Sequence, residues 1–461
     1  MSAPPIPRRL VDALHTPAAA QIAALVVLVL AAGLRFHLLD AQSLWNDEGA
    51  SVVMAGRTVG EILSNAAADI HPPGYYLLLA GWTRLAGTSE FALRALSALA
   101  SVLTVACAIA LACRLFGRPA GWLAGLLLAL STVAIYYAQE TRMYALLGLL
   151  ATAALWVLVE WTTRTERQAG HPLRWLITLV LLNTAGLYTH YAYPFTMIAQ
   201  GLIFVLWWLR RRDRRALGQY VAANALTLLL FAPWAGEAIR QVTTWPNNSA
   251  GADPATVLNK VALGLTVHYG VNLLAAAAQA GALVLAANGL WRARDPLRAT
   301  PQIWAGITVG AFLLLGLRAD DLKQLTPAAA AVAIWLGGGA AYLWRTGCFG
   351  WRAVAVAAML ALAITLLGGL PPLYGDPAYA RADYRALAAR IEADARPGDA
   401  VILDGPGQGE VWAYYYTGDA PVYPLPRGLG GDDEATRAEL ATILDQHRRI
   451  YALYWGVDER D

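Results

Sequence analysis

The stretch AAAQIAALVVLVLAAGLRFHLLDAQSLWNDE (residues 18–48) contains the two features that decide the fold. Residues 18–38 are almost entirely apolar, and about 20 such residues are enough for an α-helix to cross a bilayer. The acidic pair Asp47 and Glu48 follows within a few residues. The stretch therefore predicts a membrane-spanning helix that leads into a polar segment at the membrane surface.

Apolar runs of the same kind recur along most of the chain. Of its 461 residues, 57% are hydrophobic and 15% are charged, whereas soluble proteins carry about 25% charged residues. We predict eleven spans, near residues 18–38, 91–113, 119–136, 143–160, 174–188, 190–209, 216–234, 271–290, 301–317, 325–344 and 351–370. This composition indicates a polytopic α-helical membrane protein, and it excludes an ordinary soluble enzyme and a protein that coats nucleic acid.

Basic residues predict the orientation of these spans. Cytoplasmic loops of membrane proteins are enriched in Lys and Arg. Arg8 and Arg9 lie near the N-terminus, and residues 210–215 are all Arg except one Asp. We therefore expect a multi-pass protein of the plasma or inner membrane, with its N-terminus in the cytoplasm and its C-terminal part outside.

Residues 375–461, the tail, differ in composition from the rest. They hold nine Arg and sixteen Asp plus Glu, whereas the first 374 residues hold 26 basic and 16 acidic residues. Periodicity predicts a small α/β domain, with helices at 383–395, 409–416 and 432–449 and strands at 400–403 and 450–455. The Gly-rich residues 405–409 are expected to form a plain turn, with a phosphate-binding loop as the alternative. The predicted domains are thus residues 1–374, within the membrane, and residues 375–461, on its extracytoplasmic side.

Two outer segments stand apart from the short connections. In the first, residues 39–90, periodicity predicts an amphipathic helix at 52–66 and an interfacial helix at 75–85. The second, residues 235–260, is rich in turn residues and is expected to be a flexible loop.

Polar side chains cluster in the predicted outer connections. A charged group near lipid is costly unless it faces water or a partner, so these clusters are candidates for function. Besides Asp47 and Glu48, they contain His71, Glu140, Arg142, Tyr144, His190, Tyr191, Arg318 and Lys323. Each has a structural alternative, such as a surface ion pair between Glu140 and Arg142. Together they supply carboxylates, imidazoles and cations on one membrane face, which suits a substrate that is half lipid and half polar.

Four motifs resemble the polytopic glycosyltransferases of the GT-C type, and above all the bacterial relatives of protein O-mannosyltransferases and of the lipid A aminoarabinose transferase. The motifs are Trp45-Asn46-Asp47-Glu48, His71-Pro72-Pro73-Gly74-Tyr75-Tyr76, Gln139-Glu140-Thr141-Arg142-Met143-Tyr144 and Thr189-His190-Tyr191. Their order and spacing cover roughly the first 210 residues. Residues 383–385 and 396–399 of the tail resemble the membrane-bound mannosyltransferase branch.

The resemblance implies an inverting enzyme that moves a hexose or pentose from a polyprenyl-phosphate carrier to an acceptor hydroxyl on the outer face. Asp47 would be the catalytic carboxylate, and Glu48 would support it. Lys323, or Arg318 in its place, would bind the lipid phosphate. The other residues implied in substrate binding are His71, Tyr75, Glu140, Arg142, Tyr144, His190 and Tyr191. The implied partners are the donor, a lipid, glycan or protein acceptor, and membrane lipids.

The sequence assigns no definite cofactor and leaves metal dependence open. The carboxylates and histidines permit a divalent metal ion, with His71 and Glu48 as its candidate ligands, but they form no recognisable ligand spacing. The three cysteines, at 107, 113 and 348, form no such spacing either.

Two other functions suit a polytopic chain. A transporter or lipid flippase usually places ionisable groups or broken helices near the middle of the bilayer, whereas most acidic residues here lie in predicted outer segments. A ligase that moves a whole glycan from a lipid diphosphate would need a similar cavity, and the sequence leaves it open.

Overall fold

The computed structural model describes residues 17–168, 172–244, 255, 273–290, 295–315, 323–345, 348–405, 407–426 and 434–454. The elements are α1 (Pro17–Phe36), α2 (Asn46–Ala55), α3 (Val59–Ala68), α4 (Gly74–Ala86), α5 (Glu90–Phe116), α6 (Arg118–Leu130), α7 (Thr132–Ala138), α8 (Tyr144–Glu166), α9 (Pro172–Thr189), α10 (Tyr193–Arg211), α11 (Arg214–Thr244), α12 (Leu273–Leu290), α13 (Thr300–Leu314), α14 (Thr326–Arg345), α15 (Phe349–Gly368), α16 (Leu370–Gly375), α17 (Tyr384–Asp394), β1 (Asp399–Leu403), α18 (Gln408–Tyr415), β2 (Val422–Pro424), α19 (Glu434–Gln446) and β3 (Arg449–Leu453).

Long apolar helices dominate the chain before the tail. Within the described residues, five helices are long and apolar enough to cross a membrane: α5, α8, α11, Lys323–Arg345 and Phe349–Gly375. The pair α6 and α7 would add a sixth, although it is bent by 60°. A helix overlaps every predicted span. A polytopic helical membrane protein is thereby confirmed, whereas the number of spans and their orientation stay predictions.

The chain divides into two compact units that differ from the predicted linear domains. The first unit contains Met1–His37, Leu63–Tyr75 and Arg94–Asp376. The second contains Leu38–Ile62, Tyr76–Leu93 and Pro377–Asp461. Most of the first outer segment therefore forms one compact body with the tail.

In the first unit, a buried arginine stabilises the break between α6 and α7. The guanidinium of Arg35, in α1, is fully buried and donates hydrogen bonds to Ala129 O (3.0 Å) and Leu128 O (3.1 Å). It also donates to Ser101 Oγ at 2.7 Å. Carbonyls at the end of a helix lack partners within it, so Arg35 supplies hydrogen bonds to two buried carbonyls at the end of α6.

Small residues let α14 pack closely against α6. A Cβ added at Gly337 would lie 2.8 Å from Ala120 O and from Ala124 N, so only glycine allows this approach. Such small residues are typical of helix interfaces in membranes. This contact lies near the middle of α14, and Lys323 lies three residues before the helix begins.

Two predictions for the outer segments are wrong in their boundaries. The single helix predicted at 52–66 is divided into α2 and α3, because Thr58 and Glu61 form a capping box that starts a new helix: Thr58 N donates to Glu61 Oε2 at 2.8 Å. The predicted loop at 235–260 is helical up to Thr244, since α11 continues beyond its apolar part. The rest of that loop, except Ala255, lies outside the described residues.

The tail forms a three-stranded parallel sheet in the order β2-β1-β3. β1 is entirely buried, as expected for the central strand. The predicted helices and the strands at 400–403 and 450–455 lie at their expected places within a few residues. The short strand β2 was not predicted.

Candidate functional site

The acidic pair lies in a helix rather than in a loop. Asp47 and Glu48 occupy the first turn of α2, where the partial positive charge of the helix N-terminus favours carboxylates. Glu48 is fully buried, and its carboxylate accepts a hydrogen bond from Trp45 N at 3.4 Å. It also forms an ion pair with Arg381 Nη1 at 3.7 Å. Glu48 thus ties the start of α2 to the tail, while Asp47 is half-buried beside it.

Within the second unit, α2 packs directly on α18. A Cβ added at Gly49 would lie 2.5–2.6 Å from Val411 N, Cα and Cβ, so this contact requires glycine. Gly407, which has a positive φ of 76°, precedes α18 and lies beside Asn46. The two helices therefore begin side by side. The glycine-rich residues around 407 form a helix start, and Gly405 N donates to Gln408 Oε1 at 2.9 Å.

The first unit brings together five other predicted residues, His71, Arg142, Tyr144, His190 and Lys323, which we call the cationic cluster. His71 lies at its edge, with Nδ1 3.4 Å from Asp69 Oδ2 and Nε2 3.4 Å from Arg142 Nη2. A proton on Nδ1 allows both contacts, because Nε2 then accepts from the guanidinium. Burial by itself raises the pKa of Asp69, but the hydrogen bond between its carboxylate and His71, helped by the positive charge of Arg142, outweighs it, and the net pKa is lowered.

Two cations lie over the ring of Tyr144. The Nζ of Lys323 is 5.8 Å from the ring centroid, and the Cζ of Arg142 is 6.0 Å from it, distances at which an aromatic face attracts a cation. The hydroxyl of Thr326 lies within hydrogen-bond distance of both backbones, 3.0 Å from Tyr144 O and 3.2 Å from Lys323 O. One side chain at the start of α14 thus links the backbones of Tyr144 and Lys323, and two positive charges lie near one aromatic ring.

His190 adds a neutral imidazole to the cationic cluster. It lies in the connection between α9 and α10, with its ring centroid 5.8 Å from that of Tyr144 and 6.4 Å from that of His71. Burial, helped by the positive charges of the cluster, lowers the pKa of His190 from 6.5 to about 3. Its Nδ1 accepts a hydrogen bond from Ala192 N at 2.9 Å, as a neutral ring can.

Residues of α11 that support His71 were missed by the sequence analysis. Gln241 is buried, and its Nε2 donates to Ala66 O (2.7 Å) and to Asp69 O (2.6 Å). Tyr191, a predicted site residue, donates to Gln241 Oε1 and accepts from Trp234 Nε1 at 3.1 Å. Tyr191 therefore orients Gln241, which bonds the backbone just before His71. Gln241 lies in a stretch interpreted as loop, so only the structure shows this contact.

Three predicted site residues remain, and the structure describes two of them, Tyr75 and Glu140. Tyr75 is fully buried and follows Gly74, where an added Cβ would lie 2.5 Å from Tyr188 O. Glu140 is also buried, in the connection before α8. Arg318 lies outside the described residues.

The described residues do not favour the predicted metal site. Among them, no three His, Cys, Asp or Glu side chains come together in a way that could hold a metal ion. Both ring nitrogens of His71 face Asp69 and Arg142, and the carboxylate of Glu48 faces Arg381. We therefore derive no chemical step through a metal.

An apolar groove lies next to Lys323. Its walls come from α10, α13 and the start of α14, and they include Phe195, Thr308, Phe312, Leu325 and Pro327. This groove is narrow, with room for little more than one water molecule, and Gln324, the residue after Lys323, also lines it.

Comparisons with known proteins agree with these features. Residues 70–236 match the family model described as dolichyl-phosphate-mannose-protein mannosyltransferase. ArnT from Cupriavidus metallidurans bound to undecaprenyl phosphate is similar in structure, with a TM-score of 0.58 and 16% identity over 93% of this chain and 89% of that one. The protein has the GT-C fold. The resemblance expected from the sequence motifs is thereby confirmed.

A second solved structure shares the GT-C fold with this chain. The Archaeoglobus fulgidus oligosaccharyltransferase in complex with Zn and sulfate gives a TM-score of 0.61 and 13% identity, over 92% of this chain and 66% of that one. No curated protein sequence matches the chain significantly. At these identities, the structural likeness shows the fold alone, and the activity has to be argued from the site.

Proposed function

We propose that the protein is an inverting glycosyltransferase that moves a sugar from a polyprenyl-phosphate carrier to an acceptor hydroxyl on the outer face of the plasma membrane. The observation that carries this proposal is the cationic cluster, in which Lys323 Nζ and Arg142 Cζ lie 5.8 Å and 6.0 Å from the ring centroid of Tyr144.

The cationic cluster suits the phosphate of such a donor. When the bond between sugar and phosphate breaks, the leaving phosphate gains negative charge, and fixed cations stabilise that charge most where water is excluded. Arg142 can form two parallel hydrogen bonds to phosphate oxygens, while Lys323 supplies a compact charge. A neutral His190 fits the same pocket without adding a third permanent charge.

The proposed catalytic base is Asp47. A sugar hydroxyl or protein hydroxyl is far from ionised at neutral pH, so its attack on the anomeric carbon requires a carboxylate that accepts the proton. Attack from the side opposite the phosphate inverts the configuration, and one base is sufficient. Glu48 supports this role indirectly, because its contacts with Trp45 N and Arg381 fix the first turn of α2.

Named relatives support the choice of donor. The family model is named for dolichyl-phosphate-mannose, and the similar ArnT structure contains undecaprenyl phosphate. The Archaeoglobus fulgidus oligosaccharyltransferase AglB was solved with an inhibitory peptide and a dolichol-phosphate. We therefore propose a polyprenyl-phosphate-linked hexose or pentose as donor, and a lipid, glycan or protein as acceptor.

The test is label transfer by the full-length protein in nanodiscs. A panel of radiolabelled polyprenyl-phosphate hexoses and pentoses is supplied with a membrane extract as the acceptor source. We expect one donor to lose its label to the acceptor fraction. Asp47→Asn is the control for contaminating transferases, because it replaces one carboxylate oxygen and leaves the helix intact.

Other outcomes would overturn the proposal. Binding or transfer of a lipid-diphosphate glycan, with no use of any monophosphate donor, would indicate a glycan ligase. Neither binding nor transfer of any donor, together with movement of a labelled lipid across the bilayer, would indicate a flippase.

A further inference from the structure

We propose that the tail positions the catalytic carboxylate, with Tyr415, Arg385 and Arg381 holding residues 40–48 so that Asp47 keeps a fixed place on α2. We call residues 40–48 the Asp47 segment. This inference rests on the role proposed for Asp47. It assigns to the tail a function that its small parallel sheet alone does not reveal.

Tyr415, the last residue of α18, makes the central contact. Its hydroxyl accepts a hydrogen bond from Leu44 N at 2.6 Å and donates one to Glu90. Burial, together with its hydrogen bond to Glu90, raises the pKa of Tyr415, so the hydroxyl keeps the proton that it donates. One phenol therefore satisfies a backbone amide only three residues before Asp47.

Arg385, at the start of α17, reaches the beginning of the Asp47 segment. Its Nη2 donates to Asp40 O at 2.9 Å, and its Nε donates to Glu90 Oε1 at 3.1 Å. The Glu90 carboxylate thus accepts hydrogen bonds from both Tyr415 and Arg385. The carboxylate orients two tail side chains, and each of them bonds a different point of the Asp47 segment.

The residues before α17 bond the middle of the segment. Arg381 N donates to Gln42 Oε1 at 2.8 Å. Ser43 Oγ donates to Ala382 O at 2.8 Å and accepts from Tyr384 N at 3.1 Å. With the ion pair from Arg381 to Glu48, the tail contacts the segment from Asp40 to the turn that carries Asp47.

These contacts have a direct consequence for catalysis. A general base acts only within hydrogen-bond reach of the proton that it removes, and a displacement of about 1 Å can cost about 100-fold in rate. Residues 40–45 precede α2 and form no helix or strand, so they depend on side-chain contacts for their position. The tail supplies those contacts and thereby influences the rate of the chemical step without touching substrate.

The experiment compares Tyr415→Phe with its neighbour Tyr414→Phe in full-length protein in nanodiscs. Both variants lose one hydroxyl, but the hydroxyl of Tyr414 donates to Thr88 O at 2.8 Å, which lies outside the Asp47 segment. For Tyr415→Phe we expect kcat to fall about tenfold with an unchanged donor KM, and the amide of Leu44 to exchange its hydrogen faster. Tyr414→Phe should match the wild type in both measurements. Arg385→Gln provides a second variant, with the same expected split between kcat and KM.

The two readouts separate this inference from the proposed function. If the wild type transfers no sugar from any donor, the proposed function fails, and hydrogen exchange alone decides whether the tail holds the Asp47 segment. Unchanged exchange at Leu44 in Tyr415→Phe overturns the inference, whatever the transfer assay gives. Faster exchange with an unchanged kcat also overturns it, because the contact would then be structural only.

Discussion

The Asp47 segment and the cationic cluster perform their proposed tasks by different physical means. The Asp47 segment is held by directional hydrogen bonds with Tyr415, Arg385 and Ala382 of the tail, each of which involves a backbone atom. The cationic cluster instead gathers Lys323 and Arg142 on the ring of Tyr144. Hydrogen bonds fix a position, whereas gathered charges create an attractive potential that varies slowly with distance.

This difference predicts which kinetic constant each region controls. Changes in the Asp47 segment should affect kcat, because a misplaced carboxylate cannot accept the proton of the acceptor hydroxyl in the transition state. Changes in the cationic cluster should chiefly weaken donor binding, because charge attracts the phosphate before any bond breaks. Three substitutions test this division, and a fourth tests the charge state of His190 in the cationic cluster.

The largest effect is expected from Asp47→Asn. Removal of a general base costs about 10²–10⁴-fold in rate, and an amide of the same size should leave the fold unchanged. Transfer and thermal unfolding are measured together, with Asp40→Asn as the control because Asp40 is an exposed acid of the same segment. Substantial transfer by Asp47→Asn would remove Asp47 as the base.

The next effect concerns Lys323→Ala. Loss of one charged hydrogen bond should weaken binding of a polyprenyl-phosphate sugar about 10- to 100-fold and change kcat less. Arg174→Ala is a matched control, because Arg174 also lies over an aromatic ring, 5.3 Å from the centroid of Trp175, but outside the cationic cluster. An unchanged donor affinity in Lys323→Ala would contradict the phosphate assignment.

Gly49→Ala tests the packing under the Asp47 segment. The new methyl would lie 2.5 Å from Val411 Cα, so α2 and α18 must move apart, at a cost of about 1–3 kcal/mol in folding stability. The thermal unfolding temperature and kcat should both fall. Gly60→Ala is the control, since nothing lies within 4 Å of a Cβ at Gly60, in α3. Equal stability of the two variants would show that α2 and α18 do not pack as described.

The smallest effect is a change in pH dependence on His190→Gln. The folded protein holds His190 neutral, with a pKa of about 3, whereas the unfolded chain takes up a proton near the ordinary value of 6.5. Stability therefore falls as the pH drops below 6.5, by at most about 1.4 kcal/mol per pH unit from this residue. In His190→Gln the loss of thermal stability on acidification should be shallower. Curves of the same slope below pH 6.5 would contradict the assignment of a neutral His190.

The sequence predicted the helices well because lipid imposes a simple rule on them. A span needs a long apolar run, so hydropathy locates α1, α5 and α8 directly. Hydropathy fails where a helix leaves the apolar region, and α11 continues from Glu237 to Thr244 although that stretch is mostly polar. Sequence patterns also fail to predict β2, because its three residues are too few to show the alternation of apolar and polar residues that is typical of a strand.

The candidate site was predicted in part for a similar reason. His71, Arg142, Tyr144, His190 and Lys323 were found as polar residues at the ends of apolar runs, and the structure brings them together. Their supporting residues were missed, because Asp69, Gln241 and Tyr415 act through contacts that no sequence pattern marks. The hydroxyl of Tyr415 accepts a hydrogen bond from the backbone N–H of Leu44, which lies 371 residues earlier in the chain. No local sequence pattern indicates such a contact.

Arg35 has a consequence for the biogenesis of the protein. Its acceptors, Leu128 O and Ala129 O, lie 93 and 94 residues further along the chain. A lone arginine within an apolar helix is costly in a bilayer, and during synthesis α1 leaves the ribosome well before α6. The helix α1 therefore completes its packing only after α6 has joined it.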